Sequence, residues 1–191
     1  MRALRQITRI LRRCRDDRAG VAVVEFALIV PIMLLIYLGT MEASALISMD
    51  RKVQSVSASI GDLTARADKT LPVSQLQDYF RAASGIMTPY SASEVRQMVT
   101  AVNVSMDGET RVAWSREFHG GSLAVSTAYA PGDTYPLPAS MIAVAKGRMV
   151  IAAEASYSYK PLLGLVFEQA VNLHRSGYFL PRFDGTITLR P

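Results

Sequence analysis

Glu25 is the one residue whose type and position demand a chemical partner. It follows Gly20 by five residues and is the single charge between Val21 and Met41. A lone charge at the centre of a bilayer costs roughly 2.5–3.5 kcal/mol or more. A carboxylate in such a stretch either finds a cation or takes up a proton. The chemistry it suits is charge pairing between chains, since no second titratable group accompanies it for acid–base work.

Elsewhere reactive chemistry is sparse. His119 and His174 are the two histidines, and neither sits at a metal-ligand spacing. Both are expected on a polar surface. The chain has no nucleophile elbow, phosphate loop or paired-carboxylate motif. His119-Gly120-Gly121-Ser122 is too short to form an anion nest. Trp114, Tyr157 and Tyr159 lie on alternating patterns that predict core positions, and Asn103-Val104-Ser105 is a chance match to a glycosylation sequon. Cys14 is the single cysteine, so neither an internal disulfide nor a thiolate metal cluster can be built. These features exclude the common enzyme signatures. They imply no cofactor, no metal and no small-molecule substrate.

The elements around Glu25 must place it in a membrane. Val21 to Met41 is 21 residues, which at 1.5 Å per residue spans about 30 Å, the thickness of a hydrocarbon core. Pro31 is tolerated in such a helix, and Tyr37 suits the outer interface. Residues 1–19 hold seven Arg, among them Arg12, Arg13, Arg15 and Arg18, against Asp16 and Asp17, while residues 20–191 are balanced at fourteen basic and fourteen acidic side chains. Arginines are retained on the cytoplasmic side, so the N-terminus is expected inside and the rest outside the inner membrane. The basic pI of 9.6 is therefore a topology signal. Lipid headgroups, not nucleic acid, are its expected counter-charge.

Beyond the span, Leu46, Met49, Val53, Val56, Ile60, Leu63 and Ala67 alternate in three- and four-residue steps, an amphipathic stripe. It is expected to pack on the chain's own domain near Ala67 and on neighbouring subunits elsewhere. Gly61 allows a break, and Leu71-Pro72 ends the segment. Ser74 is a candidate cap for a second helix through Ile86, with Leu76, Tyr79, Phe80 and Ala83 on one face. Val95 to Met106, Asp107-Gly108 and Thr110 to Ser115 read as a hairpin. Residues 118–140 read as a loop with a helical turn near 123–130, and Met149 to Tyr159 as the clearest strand. Pro161 to Ala170 reads as an apolar turn or helix; Val171 to Phe183 and Thr186 to Leu189 are further strands. The expected class is α+β: a long N-terminal helix on a small antiparallel sheet. Its parts are a basic leader (1–20), a membrane helix (21–42), an amphipathic extension (43–70) and an extracytoplasmic domain (71–191).

A glycine, four residues, then Glu and an aromatic at the head of a membrane helix resembles the prepilin-peptidase site of type IV pilins. The stretch Arg18-Ala-Gly20-Val-Ala-Val-Val-Glu25-Phe26-Ala27-Leu-Ile-Val-Pro31 is similar to the head of TadE/TadG-like proteins of tight-adherence (Flp-type) pilus systems. Softer agreement follows in Val104-Ser-Met-Asp107-Gly108, Tyr157-Ser-Tyr159-Lys-Pro161 and Pro181-Arg182, and the length resembles the short TadE/TadF-like minor pseudopilins. The resemblance implies a pilin-like subunit cut between Gly20 and Val21, with Glu25 and Phe26 used in assembly. It implies a prepilin peptidase and other pilins or pseudopilins as partners.

Two rival readings remain. Ala43-Ser44-Ala45 after the apolar run is a signal-peptidase pattern, which makes a secreted domain. An uncleaved anchor carrying a periplasmic binding or structural domain is the other.

Overall fold

The computed structural model describes residues 18–161, 164, 168–183 and 185–191. It is an α+β structure in which one helix of 48 residues, α1 (Arg18–Ala65), precedes and then covers an antiparallel sheet. Pro31 lies inside α1 and does not end it. Gly61 does not break it either. A Cβ built on Gly61 would meet the Phe179 ring at 2.2 Å and the Ala153 Cβ at 3.0 Å. The glycine lets the helix approach the sheet at a distance any side chain would block.

Short elements follow: β1 (Thr70–Pro72), α2 (Val73–Ser84), then a 3-10 turn at Gly85–Met87. The stripe expectation placed the end of the long helix at Leu71-Pro72. The helix ends earlier, at Ala65, and Leu71 and Pro72 form β1 instead. The C-terminal chain intervenes: Arg182 N–H donates to the Ala65 carbonyl at 2.8 Å, and β7 (Thr188–Arg190) pairs parallel with β1. Ser74 does not cap α2. Pro72 holds that position, extended at φ −61° and ψ 138°, without a side-chain hydrogen bond. The predicted face of α2 is observed, with Leu76, Phe80 and Ala83 buried and Phe80 stacked on Phe118 at 5.5 Å.

The sheet contains β2 (Arg96–Val104), β3 (Thr110–His119), β4 (Ser122–Val125), β5 (Met149–Tyr159) and β6 (Val171–Phe179) in the order β4-β3-β2-β5-β6, all antiparallel. The Asp107-Gly108 turn joins β2 and β3 as read, with Gly108 at φ +92°. Residues 122–125 form an edge strand where a helical turn was expected, and a short helix, α3 (Ala139–Ala145), begins at the end of the expected loop. A bulge at Ala113 of β3, where Ala101 pairs Trp114 but Val102 pairs Val112, puts an extra residue into one strand. Val112 and Trp114, two apart, therefore face opposite sides of the sheet.

One side of the sheet carries the main core. Val99, Ala101, Trp114, Ile151, Ala153, Ala155, Tyr157 and Tyr159 meet Met49, Val53, Val56 and Ile60 of α1. The β5 face expected from alternation is the face observed. The other side is half covered: Val102, Val104, Val112, Val150 and Ala152 lie under Tyr135, Leu137 and Ala145 from the 126–148 segment. Half of the Pro161 to Ala170 reading lies outside the described residues, and none of the described half is helix.

Candidate assembly helix and its surroundings

The two ends of α1 sit in different environments. From Gly20 to Met41 no residue is buried; Val21, Phe26, Leu28, Ile29, Ile32, Met33, Leu35 and Ile36 are all at least 53% exposed. An 18-residue window here reaches a mean hydropathy of 2.6 and none of it packs on the domain. From Glu42 to Ala65 one side is buried against the sheet. The change falls at Glu42, 4% exposed and enclosed by the domain. Its carboxylate is among the groups that raise the Tyr159 hydroxyl's pKa, after burial itself and Tyr90. The stripe reading began at Leu46 and missed Glu42. Carrying the same spacing one step back, 46 to 42, would have found it.

Gly20, Val21, Glu25 and Phe26 lie in the first turns of α1. Gly20 has nothing within 4 Å of where its Cβ would stand, so both sides of the Gly20–Val21 bond are open. Val21 and Glu25 are four residues apart, on one face. Glu25 and Phe26 are exposed, and the structure brings no cation to Glu25 among the described residues. Arg12, Arg13 and Arg15 lie outside the described residues, and Arg18 enters as the first residue of α1.

The domain's polar groups act in packing. His119 closes β3 and is exposed; His174 in β6 lies 3.5 Å from Glu154. The Tyr135 hydroxyl donates to the same Glu154. Burial first, then that hydrogen bond, raises the Tyr135 pKa well beyond the usual phenol range. Arg96 and Glu117 pair at 3.2 Å beside them. The Tyr135 bond ties the 126–138 segment to the sheet, and the two ion pairs join neighbouring strands within it; sequence reasoning missed them because the partners are distant along the chain. The Trp114 indole donates to the Ile187 carbonyl at 2.7 Å, a core role as expected. Among the described residues no group of three His, Cys, Asp or Glu is placed to hold a metal.

Residues 20–60 match the family model described as TadE-like protein. The matched stretch is the exposed apolar half of the helix together with most of its buried half. No curated protein and no solved structure matches the chain. The TadE-like match associates the chain with Tad pilus assembly, where proteins of this kind are structural, and the apolar helix suits a membrane anchor.

Proposed function

We propose that the chain is a membrane-anchored, pseudopilin-like subunit used to assemble a tight-adherence pilus. A prepilin peptidase cuts it after Gly20, and it associates with other pilins of the same system. The observation that carries this reading is the abrupt change along α1. Its first half is apolar on every side and none of its residues is buried, the signature of a helix meant for lipid or other helices. The arginine excess before it sets the N-terminus in the cytoplasm and the sheet domain outside the inner membrane.

Glu25 then has a role. Cleavage creates an α-ammonium on Val21, four residues and about 6 Å along the axis from Glu25. That amine, on the same chain or a neighbour, neutralises the carboxylate in a low-dielectric layer where attraction is strong. A subunit settles in the register where the two charges meet. Loss of the leader also removes the positive charge that holds the helix end at the inner leaflet.

The secreted-domain alternative fits the structure poorly. Ala43-Ser44-Ala45 lies in mid-helix, and Glu42 beside it is buried against the domain. A cut after Ala45 would discard a residue that the folded domain encloses.

Intact mass of the membrane-extracted protein, with and without the prepilin peptidase, tests the processing. The expected product begins at Val21. A product beginning at Leu46, or a chain that keeps residues 1–20 while pili form normally, overturns it. Glu25→Ala is expected to leave membrane insertion unchanged and to reduce piliation. Normal piliation in that variant removes the charge-pairing role.

A further inference from the structure

Beyond the apolar span, one face of α1 stays uncovered. Ile47 is 55% exposed, and Arg51 one turn later is exposed too. With Thr40, Ala43, Ser44 and Ser48 they line a groove of about 430 Å³. The domain lies across the helix from it, on Met49, Val53, Val56 and Ile60. With Val21–Met41 read as the span, Arg51 lies beyond the lipid. It stands ten residues past Met41, about 15 Å along the axis, whereas the headgroup layer is about 5–8 Å deep.

The face runs on from the span. Ile29, Met33, Ile36, Thr40, Ile47 and Arg51 fall on one side at helical spacing. Glu25 is about six turns before Ile47 on that same side. A helix lying against this side within the bilayer therefore meets Ile47 and Arg51 above it.

Charge narrows the occupant. The neighbours of Arg51 are engaged by the chain's own domain: Asp50 accepts from Arg175 at 2.6 Å, and the Lys52 ammonium donates to the Ile86 and Thr88 carbonyls at 3.0 and 2.7 Å. Arg51 makes no ion pair among the described residues. A second copy anchored in the same bilayer runs parallel to the first. Symmetric packing on this face would set Arg51 against Arg51, a repulsive element that disfavours self-pairing.

We propose that this face docks a parallel helix from a different membrane-anchored chain, one that carries an Asp or Glu level with Arg51. The proposal rests on the reading of the apolar half of α1 as a membrane span. It goes beyond that reading in naming the face and the partner's charge.

The test uses the full chain as its own probe. Two differently tagged copies, both Cys14→Ser and Ile47→Cys, are co-expressed in bacterial inner membranes and oxidised. One of them also carries Arg51→Glu. The mixed pair, Arg51 with Arg51→Glu, is expected to form disulfide adducts roughly fivefold above either like-charged pair, the reach of an exposed ion pair. It is also expected to exceed the yield from Val144→Cys, a more exposed position on α3. Equal yields from mixed and like-charged pairs overturn the charge selection. An Ile47→Cys yield no higher than that of Val144→Cys overturns the docking face. Both failures are separable from the pilus reading, which the mass and piliation measurements test without reference to position 47 or 51.

Discussion

The first and second halves of α1 are one continuous helix with two different surfaces. Between Gly20 and Met41 apolar residues occur on all sides and none is buried; between Glu42 and Ala65 they form a stripe, and the stripe is buried. A helix apolar all round belongs in lipid or among other helices, and a striped helix belongs against a domain. The difference shows that hydrophobicity alone does not say what a residue contacts. Its angular distribution does.

The largest expected effect breaks the stripe. Ile60 is fully buried and Ile36 is 59% exposed. Ile60→Ala should cost the domain about 2–5 kcal/mol through lost burial and a residual cavity, while Ile36→Ala should leave domain stability unchanged. Denaturant titrations in detergent, followed by the fluorescence of Trp114, the chain's one tryptophan, measure both. Equal losses would mean that the first half also packs on the domain, and the comparison would fail.

The next effect sharpens the buried half. Gly61→Ala raises helix propensity by about 1 kcal/mol, yet its Cβ would lie 2.2 Å from the Phe179 ring. Overpacking costs about 1–3 kcal/mol, so a net loss is expected. Phe179→Leu in the same chain should recover part of it. A Gly61→Ala chain more stable than the parent would show that the ring swings away at little cost.

How legible this molecule is follows the range of its interactions. The apolar half of α1, the stripe from Met49 to Ile60, the Asp107-Gly108 turn and the β5 face all come from patterns within a few residues, and each is found in the structure. What escaped depends on distant chain. The end of α1 at Ala65 is fixed by Arg182, and the strand at Leu71 by pairing with β7. Local sequence favours continuing to Pro72, and a tertiary partner overrides it. The Ala113 bulge hides behind an ordinary alternation, since a single extra residue reverses the face of everything after it. Tyr135 and Glu154 sit in a loop and a strand that no periodicity relates. Within the candidate site, Gly20, Glu25 and Phe26 lie in the first turns of α1, a placement that spacing along one helix determines. Glu42 was hidden by its type, because a stripe search counts apolar residues and passes over an acid that the domain encloses.

The smallest effect concerns charge in the two halves. Asp62, in the buried half, accepts hydrogen bonds from Arg66 and, at 2.8 Å, from Arg182. The Arg66 bond, ahead of the Arg182 bond and against some desolvation, holds its carboxyl below the usual range. A carboxylate whose folded pKa is lowered adds stability above its unfolded value, about 3.9, and loses it as pH falls through the lower folded value. Arg182 and Asp62 are 56% and 35% exposed, so the contribution at neutral pH is under about 1 kcal/mol. Asp62→Asn should therefore cost little at pH 7 and should flatten the fall in domain stability below about pH 4. Glu25→Gln, in the half with no buried residue, should leave that same profile unchanged. Denaturant midpoints at pH 7 and pH 3 for the three chains decide it. If Glu25→Gln flattened the acid limb as Asp62→Asn should, the two halves would be coupled through the domain and the division drawn at Glu42 would be wrong.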